Sequence, residues 1–203
     1  LHALPIAAPG ETRTPATMRD GVGDVAVSPD GKWVAFISRT PHERYDAPGA
    51  DEGDESWQAP RKIERFFTTL NGEGWVYDRP AHVYVVAADG TGKPRNLTPG
   101  EFQHSGISWL TDSTGLVTAA QRHDNWDLDF ATDLYLVPLD GDLTALAALT
   151  ATTGNYVAPS AGPDGSTIAF LGFDDAGTYP QNVRVGLVST TGGQHRWISS
   201  ALD

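Results

Sequence analysis

The most constraining feature of this sequence is a tight turn that occurs three times, each time followed by an apolar run. The three segments are SPDGKWVAF (28–36), LTDSTGLVT (110–118) and GPDGSTIAF (162–170). Each is preceded by one short apolar segment and followed by two more, at matching offsets. β-branched and aromatic residues fill these runs, and Gly, Asp and Pro separate them, which is typical of strands and turns. The pattern predicts three units of four strands each.

The spacing within the units supports the repeat. From the turn aspartate to the turn after the third strand is 28 residues in unit two (Asp112 to Asp140) and 27 in unit three (Asp164 to Thr191). In unit one the same interval is 59 residues. The excess fits an insertion between the second and third strands, because added loop length costs conformational entropy only logarithmically.

Tandem four-stranded units of roughly 50 residues predict an all-β fold, a β-propeller segment of about three four-stranded antiparallel blades. Complete propellers have about 4–8 blades, so three blades form an incomplete ring, and self-association is an expectation. Three unrelated hairpins of a β-sandwich are the alternative. Sandwiches do not repeat turn chemistry at matched offsets, which favours the propeller.

The repeat also predicts the organisation of the chain. Residues 1–13 are expected to be a disordered or tag-like lead-in, and residues 14–203 a partial propeller. The expected blades are blade one at about 23–98 with an insertion at about 41–74, blade two at about 105–150, and blade three at about 155–199.

Charge and cysteine content narrow the function classes. The formal charge is −12 with a pI near 4.7, which argues against partners that are nucleic acids or anionic membranes, since both repel an acidic protein. The chain has no cysteine, which excludes disulfides, thiolate metal sites and a cysteine nucleophile and favours a reducing, cytoplasmic location. No apolar run approaches the roughly 20 residues of a membrane span. Three Lys against eleven Arg, with abundant Ala and Gly, indicate a bacterial source.

No catalytic, metal-binding or cofactor-binding motif is found. A serine nucleophile elbow needs Gly-x-Ser-x-Gly, and no serine has Gly at both flanking positions. His82 and His104 lie at strand edges, where a hydrogen-bonded structural role is expected. The acidic stretch 123–133 lacks the spacing of a calcium loop, so a solvated loop is favoured over a calcium site. We therefore expect no catalytic residue, no metal and no cofactor in this chain.

The insertion is the most informative segment outside the repeat. Its first half is acidic and rich in Pro and Gly, and we expect it to be flexible. Its second half, RKIERFFTTLNGEGWVY (61–77), combines basic and aromatic residues as interface cores do. One interpretation is an extended hairpin whose aromatics cover the edge of their own blade. The functional one is an interface or substrate-facing surface formed by Arg65, Phe66, Phe67, Trp75 and Tyr77.

The repeated SPDGKWVAF turn resembles the propeller repeat of TolB-like proteins and of the prolyl oligopeptidase family of serine peptidases. Two stretches, 71–109 and 122–141, narrow the resemblance to the acylaminoacyl-peptidase-like branch of that family. The segment 14–31 is similar to the start of such enzymes, just before their first blade. The resemblance covers nearly the whole chain from about residue 14. The resemblance implies that this chain is the N-terminal propeller of a two-part enzyme. The propeller's partner would be the C-terminal α/β-hydrolase domain of the same enzyme, which is absent from this chain.

Such a propeller gates and selects short or N-acylated peptide substrates and supplies no catalytic group. A stand-alone TolB-like propeller that binds a protein or peptide is the alternative. A propeller glycosidase would need two facing carboxylates, and no pair can be singled out here.

Overall fold

The structure of this chain is a computed structural model, and it describes residues 1–4, 10–42, 60–124 and 126–200. These residues form fourteen β-strands and no α-helix. The strands are β1 Gly23–Val27, β2 Trp33–Arg39, β3 Thr69–Leu70, β4 Gly74–Trp75, β5 Ala81–Ala87, β6 Arg95–Asn96, β7 His104–Trp109, β8 Gly115–Ala120, β9 Asp133–Pro138, β10 Ala147–Ala148, β11 Asn155–Ala161, β12 Thr167–Phe173, β13 Arg184–Ser189 and β14 Arg196–Trp197. None of the described residues forms a helix long and apolar enough to span a membrane.

Twelve of these strands form three antiparallel four-stranded sheets that follow one another along the chain. Blade one has the order β1-β2-β5-β6, blade two β7-β8-β9-β10 and blade three β11-β12-β13-β14. The remaining pair, β3-β4, is a hairpin in the insertion between β2 and β5. The predicted all-β incomplete propeller of three four-stranded blades is confirmed.

The repeated turn owes its shape to the aspartate. Asp112 Oδ1 accepts hydrogen bonds from the backbone N–H and the hydroxyl of Thr114, and Asp30 and Asp164 accept equivalent bonds from residues two or three positions ahead. The backbone of the residue after each aspartate adopts the left-handed conformation, with φ of +71° at Gly31 and +61° at Ser113. Ser113 therefore adopts a conformation that usually needs glycine, and for this reason LTDSTG forms the same turn as SPDG.

The blades pack face to face through alternate residues of their central strands. Val83 and Val85 of blade one belong to the same buried cluster as Leu116 and Val137 of blade two, and all four side chains are fully or almost fully buried. Blade two uses the other side of the same strands to contact the next blade, through the buried set Val117, Ala119, Leu134, Tyr156, Ile168 and Phe170. Burying each of the larger side chains contributes about 1.5–3 kcal/mol. The apolar contact between neighbouring sheets therefore stabilises the arc.

The start of the chain covers the outer face of blade one. Leu1 and Met18 pack against the buried residues Val34, Phe36 and Val86 of that face. The amino group of Leu1 donates to the carbonyl oxygen of Ala16 at 2.9 Å. Within the expected lead-in 1–13, residues 5–9 lie outside the described residues, and its disordered or tag-like character stays a prediction.

The outer face of blade three is open to solvent. Leu171, Val183 and Ile198 are exposed on or beside this sheet. Apolar residues at such positions are buried when another sheet packs against them, as between blades one and two. The exposure fits the incomplete ring.

Candidate binding site at the inner strands

The innermost strands of the three blades share one irregularity. Each contains a bulge at a residue in the left-handed region: Asp24 (φ +46°) in β1, Gly106 (φ +62°) in β7 and Ala158 (φ +51°) in β11. Each lies six positions before the turn aspartate of its blade. Two of the three are not glycine. A left-handed conformation at a non-glycine residue lowers the stability of the fold by about 1–2 kcal/mol. Bulges of this kind turn a strand and re-aim its polar groups.

The bulges contact one another across the blade junctions. The backbone N–H of Gly106 donates to Asp24 Oδ2 at 3.1 Å. A Cβ atom on Gly106 would lie 3.2 Å from Pro159 Cδ, beside the third bulge. Gly106 is thus held between blades one and three, where a larger side chain would be crowded.

A cavity of about 560 Å³ lies at this end of the inner strands. Its wall includes Asp24, Ser105 and Val157 from the three inner strands. The insertion supplies Phe67, Leu70 and Glu73. The cavity therefore lies where all three blades and the insertion meet.

Arginine side chains fix the insertion at the edge of the cavity. Arg39 Nε donates to Glu73 Oε2 at 2.6 Å, and Arg39 Nη1 donates to the carbonyl oxygen of Arg79 at 2.7 Å. Arg79 in turn pairs with Asp20 at 3.0 Å. The acceptor carboxylates come from the insertion and from the segment before β1, so the two guanidinium groups tie both segments to blade one.

A second ion pair holds the part of the insertion that precedes the hairpin. Arg61 Nε donates to Asp78 Oδ2 at 2.7 Å, and the Asp78 side chain is buried. A buried carboxylate needs such a partner, because its desolvation is costly. The described half of the insertion is therefore a fixed wall of the site. The acidic half of the insertion, which the sequence predicts to be flexible, falls mostly on residues 43–59, outside the described residues.

Trp126, from the β8–β9 loop, is the central aromatic residue of the site. Only 9% of it is exposed. The rings of Phe67 and Phe102 meet its ring edge-on, at centroid distances of 6.3 and 6.4 Å. The guanidinium carbon of Arg65 lies 5.3 Å from its ring centroid. These contacts hold the indole in one orientation.

His104 is the first residue of β7, lines the cavity and is 2% exposed. Arg122 Nη1 lies 3.2 Å from its Nε2. Because a guanidinium only donates, Nε2 accepts and the proton is assigned to Nδ1. Burial lowers the pKa of His104 well below its usual value, and the charge of Arg122 and neighbouring His82 lower it further. The ring is therefore neutral at pH 7.

His82, in β5, has a different environment although it is equally buried. Its Nε2 donates to the carbonyl oxygen of Gly100 at 3.0 Å, and its Nδ1 faces Thr40 Oγ1 and Asn96 Nδ2. Burial lowers the pKa of His82 to about 4, against the weaker effect of the Gly100 hydrogen bond. Both ring nitrogens have partners, so this histidine has the structural role that the sequence analysis expected. His104 was also expected to have a hydrogen-bonded structural role, but only its Nε2 has a hydrogen-bond partner among the described residues.

The structure separates the five interface candidates into two groups. Arg65 and Phe67 pack on Trp126, and Arg65 also pairs with Glu101. Phe66, between them, is 84% exposed, and its backbone N–H donates to Asp127 Oδ2 at 2.6 Å. Only Phe67 of this group lines the 560 Å³ cavity.

The other two candidates pack together near the β3–β4 hairpin. The rings of Trp75 and Tyr77 have centroids 5.7 Å apart, and the guanidinium carbon of Arg61 lies 5.6 Å from the Trp75 ring. The Tyr77 hydroxyl accepts a hydrogen bond from the backbone N–H of Glu64. Tyr77 and Arg65 line a second pocket, of about 900 Å³, together with His82 and Asn96 of blade one.

The sequence analysis missed Trp126, Arg39 and Glu73. Arg39 and Glu73 are 34 residues apart, and Trp126 stands in a loop without periodicity. A signal existed for the loop, since it joins the same two strands of blade two that the insertion joins in blade one. Among the described residues, no three His, Asp or Glu side chains are grouped so as to hold a metal ion.

Comparison with solved structures identifies proteins of similar fold. Acylaminoacyl peptidase from Pyrococcus horikoshii matches with a TM-score of 0.65 and 13% identity, over 95% of this chain and 27% of that one. An acylaminoacyl peptidase in complex with Z-Gly-Gly-Phe-chloromethyl ketone matches with the same values. The chain thus spans about a quarter of the length of these peptidases.

TolB from Acinetobacter baumannii matches with a TM-score of 0.46 and 15% identity, over 92% of this chain and 45% of that one. This score is too low to support an argument. No protein-family model and no curated protein matches the sequence. At these identities the likenesses establish the fold alone.

Proposed function

We propose that this chain is the propeller part of a serine peptidase of the prolyl oligopeptidase family, in its acylaminoacyl-peptidase-like branch. It gates and selects short peptide substrates for a C-terminal α/β-hydrolase domain. The observation that supports this most is the fold match to acylaminoacyl peptidase, which covers 95% of this chain but only 27% of that one. The sequence stretches 71–109 and 122–141 resemble the same branch.

The cavity at the inner strands suits a short peptide. Its volume of about 560 Å³ lies within the range of about 300–1,000 Å³ found for small-ligand pockets. Its wall combines apolar groups such as Phe67, Leu70 and Trp126 with polar ones such as Gln103 and Gln121. Peptides need both kinds of contact, for side chains and for backbone amides.

The insertion supplies the gate. It joins β2 to β5 and lies against the cavity with Phe67 and Glu73, fixed there through Arg39. A wall held by specific ion pairs limits the size of peptide that can enter. Arg65, Phe66, Phe67, Trp75 and Tyr77 remain our proposal for the interface or substrate-facing surface, and the exposed Phe66 ring is the member best placed to contact the hydrolase domain.

The gating role can be tested in the longer protein by loosening the insertion. We expect Arg39→Met to raise kcat/KM for an N-acetylated decapeptide relative to N-acetyl-alanine p-nitroanilide by about threefold or more, because the wall loses its tie to Glu73. Lys62→Ala is the control. Its ion pair with Glu64 is exposed on both sides and contributes little, so the ratio should not change. An unchanged ratio in Arg39→Met would contradict the gate.

A cytoplasmic location, a bacterial source and self-association of the open ring stay predictions from the sequence. The TolB-like alternative, a propeller that binds a protein or peptide without a hydrolase domain, becomes the conclusion if the longer protein has no peptidase activity.

A further inference from the structure

Exposed apolar side chains form a line across the three blades, which we call the apolar ridge. Its four members are 59–84% exposed: Phe66, Leu128, Phe130 and Tyr179. All of them lie in segments that join the second strand of a blade to the third, namely β2 to β5, β8 to β9 and β12 to β13. Because strand direction alternates within each sheet, these segments lie at one end of the arc.

Contacts between the segments make the ridge continuous. The backbone N–H of Phe66 donates to Asp127 Oδ2 at 2.6 Å, which places the insertion against the β8–β9 loop. The rings of Phe130 and Tyr179 stack with centroids 5.4 Å apart and 30° between their planes. Asn155 Nδ2 donates to the carbonyl oxygen of Phe130 at 2.7 Å, which fixes the β8–β9 loop to blade three. The ridge therefore runs from blade one to blade three.

The area of the ridge is larger than scattered apolar residues would present. An aromatic side chain offers about 150–250 Å², so the exposed parts of three rings and one leucine amount to roughly 400–500 Å². Contiguous apolar patches of about 300–600 Å² on soluble proteins are often functional. The ridge is held in shape by contacts within the folded chain, so it is a preformed surface for a partner.

Carboxylates surround the ridge. Asp127 and Asp129 flank Leu128, and Asp175 lies in the same loop as Tyr179. In the described ranges of the chain, none of these three aspartates forms an ion pair with Lys or Arg; Asp129 has His123 at 3.1 Å. Their charges are therefore open to a partner.

The cations of the same segments already have partners. In the described part of the insertion each Lys and Arg pairs with a carboxylate: Arg61 with Asp78, Lys62 with Glu64, Arg65 with Glu101 and Arg79 with Asp20. Arg122, at the start of the β8–β9 loop, is half-buried between His104 and the rings of Phe102 and Tyr135. The surround of the ridge is therefore acidic.

This charge selects the partner. An anionic membrane surface would be repelled, and a second copy docked ridge to ridge would bring the same carboxylates together. A protein surface with an apolar centre and Lys or Arg around it complements both the ridge and its surround.

We propose that the apolar ridge and its acidic surround dock a domain of the longer protein that presents an apolar centre ringed by Lys and Arg. The identification of that domain as the α/β-hydrolase rests on the proposed function. The inference adds the end of the arc at which the domain docks and the charge of its surface. A domain bound there covers the end of the inner strands where the 560 Å³ cavity lies.

Hydroxyl-radical footprinting measures the exposure of these side chains in the intact proteins. We expect Phe66 and Leu128 to be oxidised about fivefold more slowly in the longer protein than in the 203-residue chain, because a docked surface excludes water. Both residues belong to blades one and two, so a further blade packed on blade three would not cover them. Val27 is the control, since it is also exposed but lies at the opposite end of β1. Its rate should be the same in both proteins.

Variants test whether the ridge itself makes the contact. In the longer protein, Phe130→Ser should raise the oxidation of Phe66 about threefold, because an apolar contact of the docked domain is lost, whereas Val27→Ser should not change it. Asp129→Asn removes a charge but keeps an acceptor for the N–H of Ala131, and should loosen docking more at low salt than at high salt. Urea unfolding of the 203-residue variants verifies that each of them is folded.

Equal oxidation of Phe66 and Leu128 in the two proteins would overturn the proposal. Dimerisation of the 203-residue chain that Phe130→Ser abolishes would also overturn it, because the ridge would then bind a second copy. Protection of the ridge in a longer protein without peptidase activity would uphold the docking surface and refute the peptidase assignment. An active peptidase with an unprotected ridge would uphold the assignment and refute the inference.

Discussion

The carboxylate of Asp24 in β1 accepts a hydrogen bond from the backbone N–H of Gly106 in β7, across 3.1 Å and between two blades. In the same junction the indole N–H of Trp109 donates to the carbonyl oxygen of Ala26 at 3.0 Å. The inner strands of neighbouring blades are therefore joined by specific hydrogen bonds in addition to apolar contact. This junction forms one wall of the candidate site.

Substituting Gly106 should destabilise the protein at this junction. Gly106→Ala places a Cβ in the left-handed region and 3.2 Å from Pro159 Cδ, and we expect the free energy of unfolding to fall by about 2 kcal/mol. Urea unfolding measures the loss. Gly92→Ala is the control, since Gly92 is also left-handed but faces open space, so that only about 1 kcal/mol is expected. Equal losses in the two variants would show that the contact with Pro159 does not matter.

Gly186 makes room for an aromatic ring of blade three. A Cβ there would lie 2.3 Å from Phe170 Cζ, and the Phe170 ring is packed edge-on against Tyr156 and Trp197. We expect Gly186→Ala to cost about 2–3 kcal/mol by overpacking. Gly23→Ala, where a Cβ meets no atom within 4 Å, should change stability by less than about 0.5 kcal/mol. Thermal unfolding of both variants checks the difference, and a stable Gly186→Ala protein would contradict this packing.

Acid should destabilise the fold through buried His82. The ordinary pKa of this group is 6.5, and burial lowers it to about 4 in the folded protein. Between these values the unfolded chain binds the extra proton, so the free energy of unfolding falls as the pH drops through this window and levels off below it. From pH 7 to pH 5 the loss should be about 2 kcal/mol. The lowered pKa of His104 acts in the same direction.

Urea unfolding at pH 7, 6 and 5 measures this slope. Carboxylates with lowered pKa values, such as Asp164 at about 2, titrate below the window and do not contribute. A His82→Gln variant should lose a large part of the slope. If its slope equals that of the unmodified protein, His82 is not the group responsible.

Phe66 should matter to the longer protein and not to the stability of this chain. Its ring is 84% exposed, so Phe66→Ser should shift the free energy of unfolding by less than about 0.5 kcal/mol. We expect the same variant to change kcat/KM or domain docking in the longer protein. Leu4→Ser is the control, because Leu4 is also an exposed apolar residue but lies near the start of the chain, outside the insertion. Unchanged kinetics and unchanged thermal stability in the longer Phe66→Ser protein would contradict the interface proposal.

The strands were predictable because they repeat. Alternating apolar runs and the aspartate turns give the order of the sheets and the insertion between β2 and β5. The bulges were not recognised, although they too repeat, because alanine at 158 gives no sign of a left-handed conformation and a single aspartate at 24 is only a weak one. Their equal offset from the turn aspartates becomes informative only once the register of the strands is known.

The candidate site was only partly predictable. Arg65 and Phe67 were recognised from the mixture of basic and aromatic residues in the insertion. Their main contact, Trp126, was not, because it lies in a loop of another blade and packs with them only through the tertiary fold. Unpaired donors such as His104 Nδ1 depend on which neighbours approach within hydrogen-bond distance, and a sequence does not contain that information.

The central claim is that this chain serves a serine peptidase and does not itself supply the nucleophile. The most direct measurement compares this 203-residue chain with the protein translated from the complete coding sequence, using N-acetyl-alanine p-nitroanilide and a fluorophosphonate that labels reactive serines. The account predicts turnover and labelling of a serine beyond residue 203 in the longer protein, and neither in the 203-residue chain. Labelling of a serine within residues 1–203, or a longer protein with no reactive serine, would contradict it.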